Sequence, residues 1–179
     1  MPKMTETRKR LMEKVKDYPQ DLISSFFDET RNWDNRDARR LEYVEKVQQY
    51  EKNLMDYYGD KWPEVRASRY GDVTLAERMF AKPSHTFEQT NFYRRADDKN
   101  YIAEREAGYQ TNYAAGLFKT GRGDLAERVA ALSPRQWVAF SLNAPDISLF
   151  YLDYEDDEDP IRKDVEDALD RVEEEKNEG

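Results

Sequence analysis

No cysteine occurs among the 179 residues, which excludes disulfides, thiolate nucleophiles and zinc held by cysteine. Stability therefore has to come from packing. Histidine appears once, at His85, which argues against a histidine-based metal centre or a Ser/His/Asp triad and fits a surface residue behind a helix start. Glycine and proline number seven each, too few for a turn-rich β architecture. No run of about 18 apolar residues exists to span a bilayer, and the opening MPKMTETRKRLMEKVK is charged throughout, without the apolar stretch of a signal peptide. The expectation is a soluble cytoplasmic protein that does not enter a membrane.

What is present in quantity is charge, at 37% of residues, with an apolar fraction of 38% that still suffices to close one core. The fold class expected is all-α, a single-domain bundle of about six to eight helices. The net charge of -9 is unevenly spread. Residues 1–152 carry 25 Lys/Arg and 24 Asp/Glu, whereas residues 153–179 carry 4 and 14, a net of -10. Acidity confined to one end describes an appendage rather than a uniformly charged coat. The organisation expected is a basic N-terminal helix within 1–20, a helical body over 21–152, and an acidic linker with an amphipathic tail helix over 153–179.

Periodicity places the elements. A short basic helix is expected from after Thr5 to about Asp17, ended by Tyr18-Pro19, and a second over Asp21 to Asp28 with Leu22, Ile23, Phe26 and Phe27 on one face. The clearest runs from Arg36 to Tyr58, where Tyr43, Val47, Tyr50, Leu54 and Tyr57 repeat at spacings of four and three, widened by Leu41, Val44, Met55 and Tyr58. An N-cap is expected at Asp34 or Asn35 and an αL stop at Gly59, and tyrosines in the stripe suggest a half-wet surface. Capping boxes are expected at Thr74/Glu77, Asp124/Glu127 and Ser133/Gln136, the first two in related segments, TLAER and DLAER, that a duplication or independent use of a good helix start would explain. A long helix over Tyr101 to Lys119 carries Ala103, Ala107, Gly108, Ala114, Ala115 and Gly116, small residues that let another helix approach closely. ISLFYLDY, 147–154, fits either a short helix or an extended arm. After it, Asp159 caps and Pro160 starts a helix whose Ile161, Val165, Ala168, Leu169 and Val172 form a narrow apolar seam. Asp159 with Lys163, Glu158 with Arg162 and Asp167 with Arg171 are expected to pair along it.

Catalytic patterns are largely missing. The acids from Asp153 to Asp159 fail the EF-hand register at Glu158, where the turn glycine belongs, and at Asp164, where the closing glutamate belongs. GLFKTGRGD lacks the Gly-Lys-Ser/Thr of a phosphate loop, and its Arg-Gly-Asp reads as a turn and an N-cap. No enzyme, metal or cofactor is expected.

The function expected is that of a structural, assembly or adaptor subunit of a larger complex, such as a virus-particle connector. Its termini would contact neighbouring chains, whether a protein partner or further copies. The partner-binding residues are Ile161, Val165, Leu169 and Val172, a seam held out on an acidic leash. The alternative is a helix-turn-helix DNA binder over 74–95, with Gln89, Asn91, Arg94 and Arg95 reaching base edges and phosphates. A third reading is an acidic mimic that inhibits nucleic-acid-binding proteins.

Overall fold

The computed structural model describes residues 4–71, 74–81, 83, 91–154 and 159–178. The elements are α1 (Glu6–Val15), α2 (Gln20–Glu29), α3 (Arg36–Tyr58), α4 (Trp62–Tyr70), α5 (Leu75–Ala81), α6 (Asn91–Arg94), α7 (Tyr101–Lys119), α8 (Gly123–Ala130), α9 (Pro134–Asn143) and α10 (Pro160–Glu178), with 3-10 turns at Gly59–Lys61 and Ile147–Tyr151. The protein is all-α. Eight of these helices have eight residues or more, and no strand occurs among the described residues. The chain divides into two compact units, 1–101 and 102–179, a boundary inside what the sequence reads as one body.

Unit 1 is organised on α3, whose Tyr43, Val44, Val47, Tyr50 and Leu54 are buried and against which α1, α4, α5 and α6 pack. α1 begins where expected: the Thr5 hydroxyl accepts from the Arg8 amide at 3.1 Å. Its Leu11 and Val15 are buried, and Arg8 reaches Asp37 of α3 at 3.2 Å. Phe26 centres an aromatic cluster with Tyr43, Phe80 and Trp33 at 5.7, 4.8 and 6.4 Å between ring centroids. Arg40 is drawn inside beside it, its Nε donating to Thr30 Oγ1 at 2.6 Å and its guanidinium lying 4.5 Å from the Phe27 ring centroid.

Several expectations in this unit need correcting. The stripe is half wet only at its end, where Tyr57 is half-buried: Tyr43 and Tyr50 are buried, and the Tyr43 hydroxyl donates to the Met79 carbonyl at 2.7 Å, which satisfies the phenol without water. Burial pushes its pKa up. Met55 points to solvent. Asn35 takes the N-cap position in the αL region without a side-chain cap bond, and Gly59 adopts φ 54° and ψ -126°, which is positive in φ but not αL. WPEVRASRY forms α4, opened by a proline in its first turn. The Thr74/Glu77 box forms as expected, at 3.1 and 3.2 Å.

Unit 2 is built on α7. Tyr113, Trp137, Phe140 and Phe150 meet at centroid distances of 5.0 to 5.8 Å around it. The Ser133/Gln136 box forms, with both bonds present. The one at Asp124 does not, because the helix starts a residue earlier at Gly123 and the Asp124 carboxylate turns to Arg162 of α10 at 2.7 Å. The two LAER segments thus begin differently.

The tail helix requires the largest correction. α10 lies against α8 and α9, and Ile161, Val165, Ala168, Leu169 and Val172 are all buried. The seam expected to seek another molecule is part of the core of its own unit. The reason lies in what faces it: α8 buries Leu125, Ala126 and Val129, an apolar surface of matching kind. Of the expected pairs, the one at Glu158 lies outside the described residues; Asp159 meets Arg122 instead, Arg162 meets Asp124 of α8 as well as Glu166 one turn along, and Asp170 and Glu173 both meet Arg128 at 2.9 Å. The planar, forked guanidinium of Arg128 serves two carboxylates of α10 at once.

Candidate functional site

The segment from Pro145 to Tyr154 crosses unit 2 as a strap, and its position follows from local chemistry. Asp146 precedes the 3-10 turn, and its carboxylate accepts from the Ser148 amide at 2.8 Å; the Ser148 hydroxyl first and this amide second lower its pKa. Phe150 is the anchor. It is buried edge-on against Tyr113 at 5.0 Å, and the Tyr113 hydroxyl donates to the Pro145 carbonyl at 2.7 Å. Burial pushes the pKa of that phenol up, so it remains a donor.

Gly116 allows the close approach. A Cβ there would lie 2.9 Å from Ile147 Cδ1 and 3.2 Å from Phe150 Cδ2. The small residues of α7 were expected to admit a helix; what they admit is this strap. Gly108 plays no such part, with nothing within 4 Å of its would-be Cβ.

Arg122 locks the strap to the tail. Its Nε and Nη2 donate to the two oxygens of Asp159 at 2.7 and 3.0 Å, and its Nη1 to Thr120 Oγ1 at 2.6 Å. The same guanidinium lies 5.6 Å from the Phe150 centroid, with Nη1 3.4 Å from that residue's carbonyl. Asp159 in turn caps α10, accepting from the Ile161 and Arg162 amides at 3.2 and 3.3 Å. The Arg122 hydrogen bonds hold the Asp159 carboxyl below its ordinary range. Only 5% of Arg122 is exposed, so this Arg-Gly-Asp offers no accessible arginine.

With its backbone tied down, the strap presents Leu149, Tyr151 and Leu152 outward, at 38%, 60% and 56% exposure. The Tyr154 hydroxyl adds a bond to the Leu149 carbonyl at 2.7 Å. Phe118, near the end of α7, is 72% exposed. Isolated apolar residues on a surface need no explanation, but three within four positions on a fixed backbone form a patch. Sequence reasoning missed it because alternation along ISLFYLDY says which residues differ in facing, not which face is covered.

The DNA-binding residues are not assembled in what is described. Gln89 lies outside the described residues, as do His85 and the acids 155–158. Asn91 starts α6, a single turn ending at Arg94, which is exposed. Arg95 donates from Nε to Asp98 at 3.1 Å and lies 5.0 Å from the Tyr101 ring centroid. A guanidinium committed to a carboxylate and a ring is a poor phosphate contact. Among the described residues, no three His, Asp or Glu side chains are placed to hold a metal, and no helix is long and apolar enough to cross a membrane.

No protein-family model, curated protein or solved structure matches this chain.

Proposed function

We propose that the chain is a non-catalytic assembly or adaptor subunit of a larger complex in the cytoplasm, and that it binds protein through the strap rather than through the tail seam. The observation that carries the reading is the exposure of Leu149, Tyr151 and Leu152 on a backbone fixed from beneath by Phe150, Tyr113 and Arg122. Tyrosine and leucine on a pre-organised segment lose little freedom on binding, which is what an anchor residue requires. The groups with altered acidity also support it. Three acidic groups of unit 2 are explained by packing: Tyr113 by burial, and Asp124 and Asp159 by hydrogen bonds from arginine. None of the three is left over for proton transfer to a substrate.

Affinity capture tests the reading. Tyr151→Ser with Leu152→Ser leaves the buried anchors in place, so the variant keeps the helical circular dichroism of the parent. It is expected to lose proteins, or further copies of the chain, that the unaltered protein retains. The same retained set for both proteins rejects the strap as the binding face.

A further inference from the structure

The charge around the strap restricts what can cover it. Between Arg135 and Arg162 the chain has no Lys or Arg, while Asp146, Asp153 and the four residues Glu155 to Glu158 supply six acids besides Asp159, whose charge Arg122 meets. A strap meeting an identical strap would press like charge against like, which disfavours a two-fold contact through this face. Its occupant must combine apolar side chains with positive charge.

The same chain carries such a surface. Residues 6–16, which include all of α1, hold Arg8, Lys9, Arg10, Lys14 and Lys16 against Glu6 and Glu13, a net of +3. α1 turns Leu11 and Val15 inward to α3 and leaves Met12 exposed, and Met4 just before the helix is exposed as well. At helical spacing Lys9, Met12 and Lys16 fall on one outward stripe. Lys9 pairs with Glu6 at 3.4 Å and Lys16 with Glu13 at 2.6 Å, but all four side chains are more than half exposed, and such pairs exchange readily for others. Methionine suits the task, because its unbranched thioether adapts to an irregular apolar surface such as Leu149, Tyr151 and Leu152.

Resting on the reading of the strap as a protein-binding face, we propose that its occupant is α1 of a second copy, so that copies join head to tail. The two surfaces differ, which makes the contact heterologous. Each copy added leaves one strap and one α1 open, and growth continues until a ring closes or a filament extends.

Light scattering of the full chain over a range of concentrations tests this. At low salt the mass is expected to rise above that of one chain, and to fall back at about 0.5 M salt, where screening shortens the reach of charge to a few ångströms. One variant alters the strap (Tyr151→Ser, Leu152→Ser), another the α1 stripe (Lys9→Glu, Met12→Glu, Lys16→Glu). Each alone is expected to stay a single chain. Mixed in equal amounts they are expected to give a dimer and nothing larger, since each supplies the face the other lacks. Circular dichroism confirms that both variants keep their helices.

Three results overturn the proposal: an unaltered protein that stays a single chain at hundreds of micromolar in low salt, a mass that survives the α1 changes, or a mixture of variants that does not pair. If the α1 changes leave the mass intact while the strap changes lower it, the strap remains a binding face and only its occupant is wrong. Capture of other proteins that depends on the strap, with no self-association, gives the same separation.

Discussion

Replacing Arg122 by alanine removes the group that ties the strap to the tail helix, and the cost can be worked from its contacts. Two hydrogen bonds to Asp159 are lost, together with the one to Thr120; the approach to the Phe150 carbonyl, at 3.4 Å, is too long to add much. Removing one partner of a buried ion pair costs about 3–5 kcal/mol, most of it from the charge left behind. Asp159 is 32% exposed and keeps its two amide donors, so it rehydrates in part, and the expected loss is about 2–3 kcal/mol. Chemical denaturation followed at Trp137, the only tryptophan of unit 2, in a background with Trp33 and Trp62 changed to phenylalanine, measures it. Hydrogen exchange is expected to speed up at the amides of 147–152 and of the first turn of α10, and to stay unchanged in α1 and α3. A loss below about 0.5 kcal/mol, with exchange in the strap unaltered, would refute the idea that this arginine fixes the strap.

Gly116→Ala should destabilise unit 2 by about 1–2 kcal/mol, since its methyl group meets Ile147 and Phe150, whereas Gly108→Ala should stabilise by up to about 1 kcal/mol; thermal melts of the pair give the contrast. Leu169→Ala should cost about 2–5 kcal/mol if the tail is core, and almost nothing if it is a tether, as denaturant midpoints will show. Asp124 and Asp159 have pKa values below those of unfolded aspartate. Each therefore contributes stability that is complete above about pH 5 and drains away as pH falls past 4 through the folded value, which melting temperatures between about pH 7 and 2.5 should trace. Asp159→Asn should flatten part of that slope.

Much of the fold was legible because its signals are local. The bounds of α3 and α7 follow from apolar period and the glycine or charged stops beside them, and the boxes at Thr74 and Ser133 from residues three apart. α10 was located for the same reason, down to its Asp159 cap. Its partners were not. Arg122 and Asp159 are separated by 37 positions and Arg162 and Asp124 by 38, and nothing in a helical repeat names an arginine on a different helix. The same gap explains the seam, whose apolar residues were correctly identified and wrongly thought available. A helix with one oily edge looks the same in sequence whether a groove awaits it at home or abroad.

That the tail forms a wall of unit 2 changes how truncation behaves. Removing residues 155–179 takes away Ile161, Val165, Leu169 and Val172 and uncovers α8, so the shortened chain gains a sticky face it never had. Point changes on the strap avoid that artefact.

The placement of α3 has a mechanical consequence for unit 1. Four neighbouring helices lean on one rod, and its buried side chains point to more than one side. Such an axle cannot loosen toward one neighbour and stay gripped by the rest, because the shift that frees one contact drags on the others. Unit 1 is therefore built to come apart in a single step, and to hold α1, with Met12 and its lysines, at a fixed angle until it does.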